Sequence, residues 1–274
     1  MIFFDQIDVT VNGTGILAEN ASVSVQADLV PAYVIGLRGI VDQAPNQGIN
    51  NSVSLSYFLE VDNEPNYGIV DQIRNFSSTT EELQPTTINI GGISGVFYLQ
   101  SYQLNVAPNT PAKATASYVG YNQVSGNVAE KAGTVNYNAS NGSGIGFGFA
   151  SVGGNHTLKE AFDFNYSFQA NYIPVFALGS QEPISVKLMG ASEDMSISKT
   201  GFYDPSFTGT NPDGTLFNQN GSTGVQIFGL KLFCEDDSSQ SVDINVSGTK
   251  VKSTSVGHSV NEISRSTTTF SKYF

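Results

Sequence analysis

The chain has 274 residues, an apolar fraction of 39% and a charged fraction of 13%, which is roughly half the typical value of about 25%. Its apolar content is sufficient for a buried core, so a wholly disordered chain is excluded. The net charge of −12 disfavours ordinary binding to the phosphates of nucleic acids. Because few charged groups would need to be desolvated, the surface suits extensive burial in an assembly.

The N-terminal segment MIFFDQIDVT has no basic region and no long apolar region, so no signal peptide is expected. No stretch reaches the roughly 18 apolar residues of a membrane-spanning helix, so no membrane partner is expected. Cys234 is the single cysteine, which excludes an intrachain disulfide. Together these features predict a soluble protein that is made in the cytoplasm.

Alternation of apolar and polar residues predicts strands along most of the chain. The first is expected at residues 2–11, and a strand that Pro31 interrupts follows at 23–36. Two hairpins are predicted from alternation around a turn, at 101–120 and 229–248. Further strands are expected at 52–60, 87–90, 96–102, 184–188, 195–199, 225–233 and 266–273.

One helix is predicted, over residues 64–76. Pro65 suits its first turn, and Ile69, Ile73 and Phe76 fall on one helical face. The turn-rich segment 204–215 occupies the corresponding place in the second half of the chain, so no helix is expected there. Between the halves, the glycine-rich segment 141–154 is either a linker or a strand.

The chain repeats itself once. The segment VSVQADLVPAYVIG at residues 23–36 recurs as YSFQANYIPVFALG at residues 166–179, at an offset of 143. A proline, an aromatic residue and a glycine mark each copy, and we single them out as structural positions. They are Pro31, Tyr33 and Gly36 in the first copy, and Pro174, Phe176 and Gly179 in the second.

A second correspondence aligns the hairpin at 101–120 with the one at 229–248, at an offset of 128. The order of the two blocks is the same in both halves. We therefore predict a mainly β protein with two tandem antiparallel domains, each a β-sandwich or barrel of similar fold. The first domain would span residues 1–137 with the helix near 64–76, and the second would span 138–274.

The sequence holds no constellation of residues that indicates catalysis. His156 and His258 stand apart from any metal-binding spacing, so both are interpreted as solvated polar residues. Cys234 lies in an alternating strand and is interpreted as a small buried hydrophobe. No nucleophile elbow and no phosphate-binding glycine loop is present. These observations predict no enzyme, no cofactor and no metal site.

Two further patterns are open to a functional and a structural interpretation. The acidic run 235–237, with Asp243 nearby, is either a weak calcium site or a solvated hairpin tip, and the missing EF-hand spacing favours the tip. Acidic pairs at 81–82 and 193–194 are interpreted as solvated in the same way. Aromatic residues alternating between 147 and 168 are either a platform for sugars or a core face, and period two favours the core.

The repeated unit, Gln-Ala-x-x-[Val/Ile]-Pro-x-[Tyr/Phe]-x-[Ile/Leu]-Gly, resembles segments in tail tube and related virion structural proteins of tailed bacteriophages. The hairpin SYQLNVAPNTP at 101–111, with the later YVGY at 118–121, is similar to them as well. This resemblance covers most of both copies. It implies a β-sandwich or barrel with a small helix beside it, and some members of the family carry two tube domains in tandem.

The expected function is that of a non-enzymatic tail tube subunit in the virion tail, synthesised in the cytoplasm of the host bacterium. Three chains would close a ring of six similar domains by pairing of edge strands, and rings would stack into a tube. Acidic side chains on the inner wall would let DNA pass without specific binding. Segments 141–154 and 250–265 are candidates for arms between rings. The expected partners are further copies of the chain and other virion tail proteins.

Two alternatives remain open at this point. One is another virion component with the same domain, such as a baseplate, neck or decoration protein. The other is a carbohydrate-binding or adhesive β-module that uses tyrosine and phenylalanine side chains to stack on sugars. An enzyme is the least favoured hypothesis, because no reactive groups cluster in the sequence.

Overall fold

The structure is a computed structural model, and it describes residues 7–16, 18–26, 29–36, 38–40, 42–45, 48–59, 69, 73, 85–107, 110–128, 150–154, 161–200, 226–233, 241–257, 260 and 265–274. Strands account for most of these residues. In chain order they are β1 (Val9–Val11), β2 (Thr14–Gly15), β3 (Ala18–Gln26), β4 (Leu29–Ala32), β5 (Asp42–Pro45), β6 (Asn50–Phe58), β7 (Thr86–Ile90), β8 (Ile93–Val106), β9 (Lys113–Gly120), β10 (Ala150–Gly154), β11 (Ala161–Phe176), β12 (Pro183–Thr200), β13 (Gln226–Phe233), β14 (Ser241–Gly257) and β15 (Arg265–Tyr273).

All strand pairs in the described residues are antiparallel, and the sheets do not close into a barrel. Thirteen strands form one connected sheet, and β4 and β5 form a separate two-stranded sheet. The prediction of a mainly β, antiparallel protein is confirmed, and the architecture is consistent with the β-sandwich class. The boundary predicted between residues 137 and 138 lies outside the described residues, and the division into two domains stays a prediction.

Strand β8 connects the two halves of the chain. Its first part, up to Phe97, pairs with β7, and its second part pairs with β9 along one edge and with β11 of the second half along the other. A bulge at Gln100 lies three residues after the first part, within the segment that pairs with β9. Bulges bend a strand and increase its twist, so β8 can belong to two differently oriented parts of the sheet.

The same order of pairing occurs in both halves. In the first half β3 pairs with β6, β6 with β9, β9 with β8, β8 with β7, and β7 with β1. In the second half β11 pairs with β12, β12 with β15, β15 with β14, β14 with β13, and β13 with β10. The bulges also correspond. In the pair β3–β6 the bulged residue is Glu19, and in its counterpart β11–β12 it is Phe162. In the pair β8–β9 the bulged residue is Gln100, and in its counterpart β14–β15 it is Lys252.

Both predicted hairpins form, but the alignment between them is wrong. Strands β8 and β9 pair on either side of residues 107–112, and strands β13 and β14 pair on either side of residues 234–240. By pairing order, however, β13 takes the place of β7 rather than the place of β8. Alternation at period two is the same in every half-buried strand, so it cannot distinguish one hairpin from the next.

The offsets of 143 and 128 imply that the second half is 15 residues shorter between the two repeated blocks, and this correction removes that difference. The connections between equivalent strands, 59–85 and 201–225, are nearly equal in length. Ile69 and Ile73 are helical and buried, as the predicted apolar face requires, and the ends of the helix lie outside the described residues. Segment 201–225 lies outside them as well. Residues 250–257, expected in an arm, belong to β14 and pair with β15.

One hydrophobic core contains residues from both halves. It joins Leu55, Leu104 and Tyr118 of the first half with Phe168 and Ile197 of the second. Phe164 and Tyr166 are also buried in it, which confirms the core interpretation for the described part of the aromatic run. The helical residues Ile69 and Ile73 pack into the same core. The two halves therefore share a sheet and a core at the β8–β11 junction.

Candidate assembly surfaces

The β8–β11 junction is an edge-to-edge contact between the two halves. Six consecutive pairs join the strands, from Val106 opposite Phe164 to Ser101 opposite Gln169. On the core side, Tyr102 packs against Tyr166 with ring centroids 6.2 Å apart, and both side chains are buried. Burial of aromatic area at this seam and the continuous ladder of backbone hydrogen bonds stabilise the contact.

Strand β3 occupies in the first half the place that β11 occupies in the second, but its outer edge has no such neighbour. Among the described residues, β3 pairs with β6 alone. The consequence is visible at one position of the repeat: Val25 is 58% exposed, whereas Phe168, its equivalent in β11, is 0% exposed. A long edge strand with exposed apolar side chains is a template for pairing with another chain.

Strand β14 is equivalent to β8, the other member of the β8–β11 junction, and one of its edges also lacks a neighbour among the described residues. Its residues 250–257 pair with β15 on one side, as the second part of β8 pairs with β9. The other side of β8 is occupied by β11, and no strand in the described part of the chain occupies that side of β14 at 253–257. The chain thus has one occupied junction of this type and two edges equivalent to the members of that junction.

One face of the sheet is lined by small uncharged polar side chains. The register places the following residues on this face, across six neighbouring strands: Ser52, Ser54, Ser56, Thr115, Ser117, Ser101, Gln103, Asn105, Asn165, Ser167, Gln169, Ser192, Ser196, Ser198, Thr267 and Thr269. A depression of about 440 Å³ lies on this face between β8, β11, β12 and β15. The opposite face carries the core residues, so the alternation follows the period of the pleat.

Two pairs of opposite charge are described on the polar face, and Asp163, opposite Ser198 on the same face, accepts a hydrogen bond from Asn165. Lys113 Nζ lies 2.8 Å from a carboxylate oxygen of Glu19, and Lys252 Nζ lies 3.4 Å from Asp194 Oδ1. Ser271 donates a hydrogen bond to the same Asp194 oxygen. These pairs are exposed and each adds little to stability. Their main consequence is that this part of the face has almost no net charge.

Each half also carries a long hairpin arm that contains the predicted structural positions. Pro31 lies in β4 and Pro174 in the outer part of β11, and each is followed by a turn. Gly36 and Gly179 have φ of 96° and 83° in these turns, a conformation that favours glycine. Tyr33 is exposed beside the first turn and Phe176 is partly exposed beside the second, where its ring lies against Gly48.

The outermost residue of each arm is a large aliphatic side chain. Ile35 and Leu178 are equivalent in the repeat, and both are fully exposed, at 103% and 107%. Further aliphatic side chains along the arms are exposed too: Leu29, Val30, Val34, Ile40, Ile173, Val175, Ile184 and Met189. Concentrated apolar exposure on projecting elements is typical of a protein interaction surface.

The base of the second arm is joined to the first half by polar contacts. Tyr172 donates a hydrogen bond of 2.6 Å to the carbonyl of Leu99, and the backbone N–H of Gln123 donates one of 3.1 Å to Glu182. The Tyr98 ring lies 5.5 Å from the Tyr172 ring. Burial is the largest cause of the raised pKa of the Tyr172 hydroxyl, so it remains a donor at neutral pH.

A buried polar residue occupies equivalent positions in the two halves. Asn51, opposite Val25, donates a hydrogen bond of 2.7 Å to the carbonyl of Asn122. Glu193, opposite Phe168, accepts one of 3.0 Å from the Tyr166 hydroxyl, and its other oxygen lies 4.0 Å from Lys272 Nζ.

Burial raises the pKa of Glu193, whereas Lys272 and the hydrogen bond from Tyr166 act in the opposite direction. The interpretation of this acidic residue as solvated is wrong, because its side chain is buried on the core face. Its sequence neighbour, Asp194, points to the polar face instead.

Several predicted features lie outside the described residues, including His156, His258, Cys234 and the acidic run 235–237. Among the side chains that the structure describes, no three His, Cys, Asp or Glu residues are placed to hold a metal ion. No helix in the described ranges is long and apolar enough to cross a membrane. The sequence matches no protein-family model and no curated protein. The candidate functional surfaces are therefore the two sheet edges, the polar face and the arms.

Proposed function

We propose that the protein is a structural subunit that assembles into rings and stacked tubes, as a bacteriophage tail tube subunit in the virion does. The observation that carries this proposal is the β8–β11 junction. Both members of that junction recur in the chain, as β14 and β3, and among the residues that the structure describes no strand covers the corresponding edges. A contact between β14 of one copy and β3 of the next is heterologous, and repetition of such a contact produces a ring when the rotation closes.

The polar face supplies a suitable inner wall for such a ring. Its serine, threonine, asparagine and glutamine side chains present no array of positive charge to DNA, so binding driven by counterion release would be weak. The wall differs from the strongly acidic wall expected from the net charge, because four of the charged groups described on this face form lysine–carboxylate pairs and Asp163 is hydrogen-bonded to Asn165. DNA would pass along a nearly neutral surface to which phosphates neither adhere nor are strongly repelled.

The arms supply a suitable contact between rings. Their exposed aliphatic tips, Ile35 and Leu178, would be buried against the neighbouring ring, which would gain the free energy of apolar burial. Two arms in each chain would give a ring of three chains six axial contacts. In this proposal the arms take the role that was expected of segments 141–154 and 250–265.

The test is the mass of the protein across a concentration series, with electron microscopy of the same samples. We expect rings with the mass of three chains, and tubes at high concentration. The variant Val25→Lys places a charge in the middle of the open edge, and we expect it to remain monomeric and folded. Val128→Lys is the matched control, because Val128 is similarly exposed but lies outside the strands.

A parent protein that stays monomeric at every concentration would overturn the proposal. Equal loss of rings in the Val25→Lys and Val128→Lys variants would show that the β3 edge is not the contact. A carbohydrate-binding module would instead remain monomeric in both variants and bind strongly to one member of a glycan array.

A further inference from the structure

We infer that β3 of one copy pairs antiparallel with β14 of a second copy in one defined register, with Ser24 opposite Ser255. This inference rests on the proposed ring and specifies its contact. The occupant of the β3 edge is thus a second copy of this chain, through residues 254–257 of its strand β14.

The register follows from the occupied junction within the chain. There, Tyr166 lies opposite Leu104, Ser167 opposite Gln103, and Phe168 opposite Tyr102. The repeat relates β11 to β3, so Ser167 corresponds to Ser24, as Pro174 corresponds to Pro31. What remains is to relate β8 to β14.

The bulges relate β8 to β14 without any reliance on sequence similarity. Gln100 is the bulged residue where β8 pairs with β9, and Lys252 is the bulged residue where β14 pairs with β15. Counting outward from these two residues, Gln103 corresponds to Ser255. The pairing with the third strand agrees, because Gln103 lies opposite Thr115 and Ser255 lies opposite Thr267.

When the register of the β8–β11 junction is applied to β14 and β3, Ser24 lies opposite Ser255. In the same register Val23 lies opposite Val256, and Val25 lies opposite Thr254. This register continues the polar face from one copy to the next, because Ser24 already shares that face with Ser52 of β6. A slip by one residue would instead join the polar face of one copy to the core face of the next, because the pairing with β6 fixes the face on which Val23 and Val25 lie. The inferred contact also covers the apolar side of β3, where Val25 is 58% exposed.

The test is cysteine cross-linking of the assembled full chain in a Cys234→Ser background. Directly opposed residues of antiparallel strands have Cα atoms about 4.5–5.5 Å apart, within the range of a disulfide. We expect Ser24→Cys with Ser255→Cys to give disulfide-linked species at two and three times the chain mass of 29.2 kDa on a denaturing gel. Each single variant should give no ladder of this kind beyond a dimer.

Two further pairs calibrate the measurement. Gln103→Cys with Ser167→Cys reproduces the same geometry within one chain, so it should form an intrachain disulfide. Ser24→Cys with Ser253→Cys is two residues out of register, at a diagonal separation of about 7–8 Å, and should cross-link much less.

Rings that form while Ser24→Cys with Ser255→Cys fails to cross-link, although the Gln103–Ser167 pair does, would overturn the register and leave the proposed function intact. Cross-linking of the Ser253 pair in preference to the Ser255 pair would also overturn the register. Absence of rings in the parent protein would instead remove the proposed function and this inference together.

Discussion

Strands β3 and β11 derive from the same repeated unit, and their different surroundings show what a neighbouring strand contributes. Each strand has a bulge near its start and continues toward an arm whose outgoing part contains a proline, Pro31 in β4 after β3 and Pro174 within β11 itself. Within the described ranges, β11 has a second neighbour, β8, and β3 has none; beside β8 the repeat position of Phe168 is fully buried. At the same position of β3, a smaller residue, Val25, is mostly exposed.

The side chains on the core face are larger in β11, which has a strand on each side, than in β3, which lies at an edge in the described structure. Phe164, Tyr166 and Phe168 are large and lie in the core, whereas the equivalent residues of β3 are Ala21, Val23 and Val25. The seam inside one chain is permanent, so it can be strongly apolar. A seam between chains must first be exposed to water, so smaller apolar residues limit the risk of uncontrolled aggregation.

The largest expected effect is a difference in the free energy of unfolding between equivalent substitutions in β11 and β3. Phe168→Ala should lower the free energy of unfolding by about 3–5 kcal/mol, because it leaves a cavity between β8 and β11. Val25→Ala in the unassembled protein should cost less than about 1 kcal/mol, because the side chain is largely solvated. Urea denaturation at low protein concentration measures both. Equal losses would contradict the distinction between an inner and an edge strand.

The buried polar positions beside these strands should differ in their response to pH. The pKa of Glu193 is raised in the folded protein, so the folded state binds the proton more tightly than the unfolded chain does. The stability that this group contributes is therefore present at low pH and is lost as pH rises from the ordinary value of 4.5 toward the raised pKa.

Glu193→Gln should remove this component, so its free energy of unfolding should improve relative to the parent protein as pH rises above 4.5. Asn51→Ala, at the equivalent position, should cost about 1–3 kcal/mol at every pH, since it leaves the carbonyl of Asn122 without this donor. Chemical denaturation across the pH range measures both variants. A Glu193→Gln difference that does not vary with pH would refute the assignment.

The arm tips should respond equally to substitution of their glycines. Gly36→Ala and Gly179→Ala should each cost about 1–2 kcal/mol, because both glycines have positive φ. Among the described residues, no neighbouring atom lies within 4 Å of an added Cβ at either site, so backbone strain and not a steric clash is expected to cause the loss. Thermal unfolding measures the two losses of stability. If the two losses differ by more than the cost expected for one variant, the two turns are not equivalent.

The smallest effect on stability is expected at the aliphatic tips. Ile35→Ser and Leu178→Ser should change the free energy of unfolding by less than about 0.5 kcal/mol, since both side chains are fully solvated. In the proposed assembly, rings should still form while tubes become shorter. Microscopy of the variants measures tube length, with Val128→Ser as the control for loss of an exposed aliphatic side chain. Tubes of unchanged length would exclude the tips as axial contacts.

Local patterns predicted much of the secondary structure and one of the two correspondences. The identity of Pro31 with Pro174 and of Gly36 with Gly179 predicted two equivalent segments, and both prolines and glycines occupy equivalent places in the arms. The correspondence between hairpins was wrong, because alternation carries no information on which strand is which. The burial of Glu193 was missed as well, since its partners Tyr166 and Lys272 are distant in sequence.

The sequence by itself determined the antiparallel β character, the proline and glycine positions that the two halves share and the alternation of polar with apolar residues, because these depend on local patterns and turn residues. It did not predict that the segments around Pro31 and Pro174 form hairpin arms, since arms were expected at 141–154 and 250–265. Only the tertiary structure decided which edges are occupied. Pairing of β8 with β11 joins residues some 60 positions apart, and its stability depends on backbone hydrogen bonds and core packing that no local pattern records. In the part of the chain that the structure describes, the edges of β3 and of β14 at 253–257 are open for the same reason, since a strand edge is satisfied only when another strand reaches it.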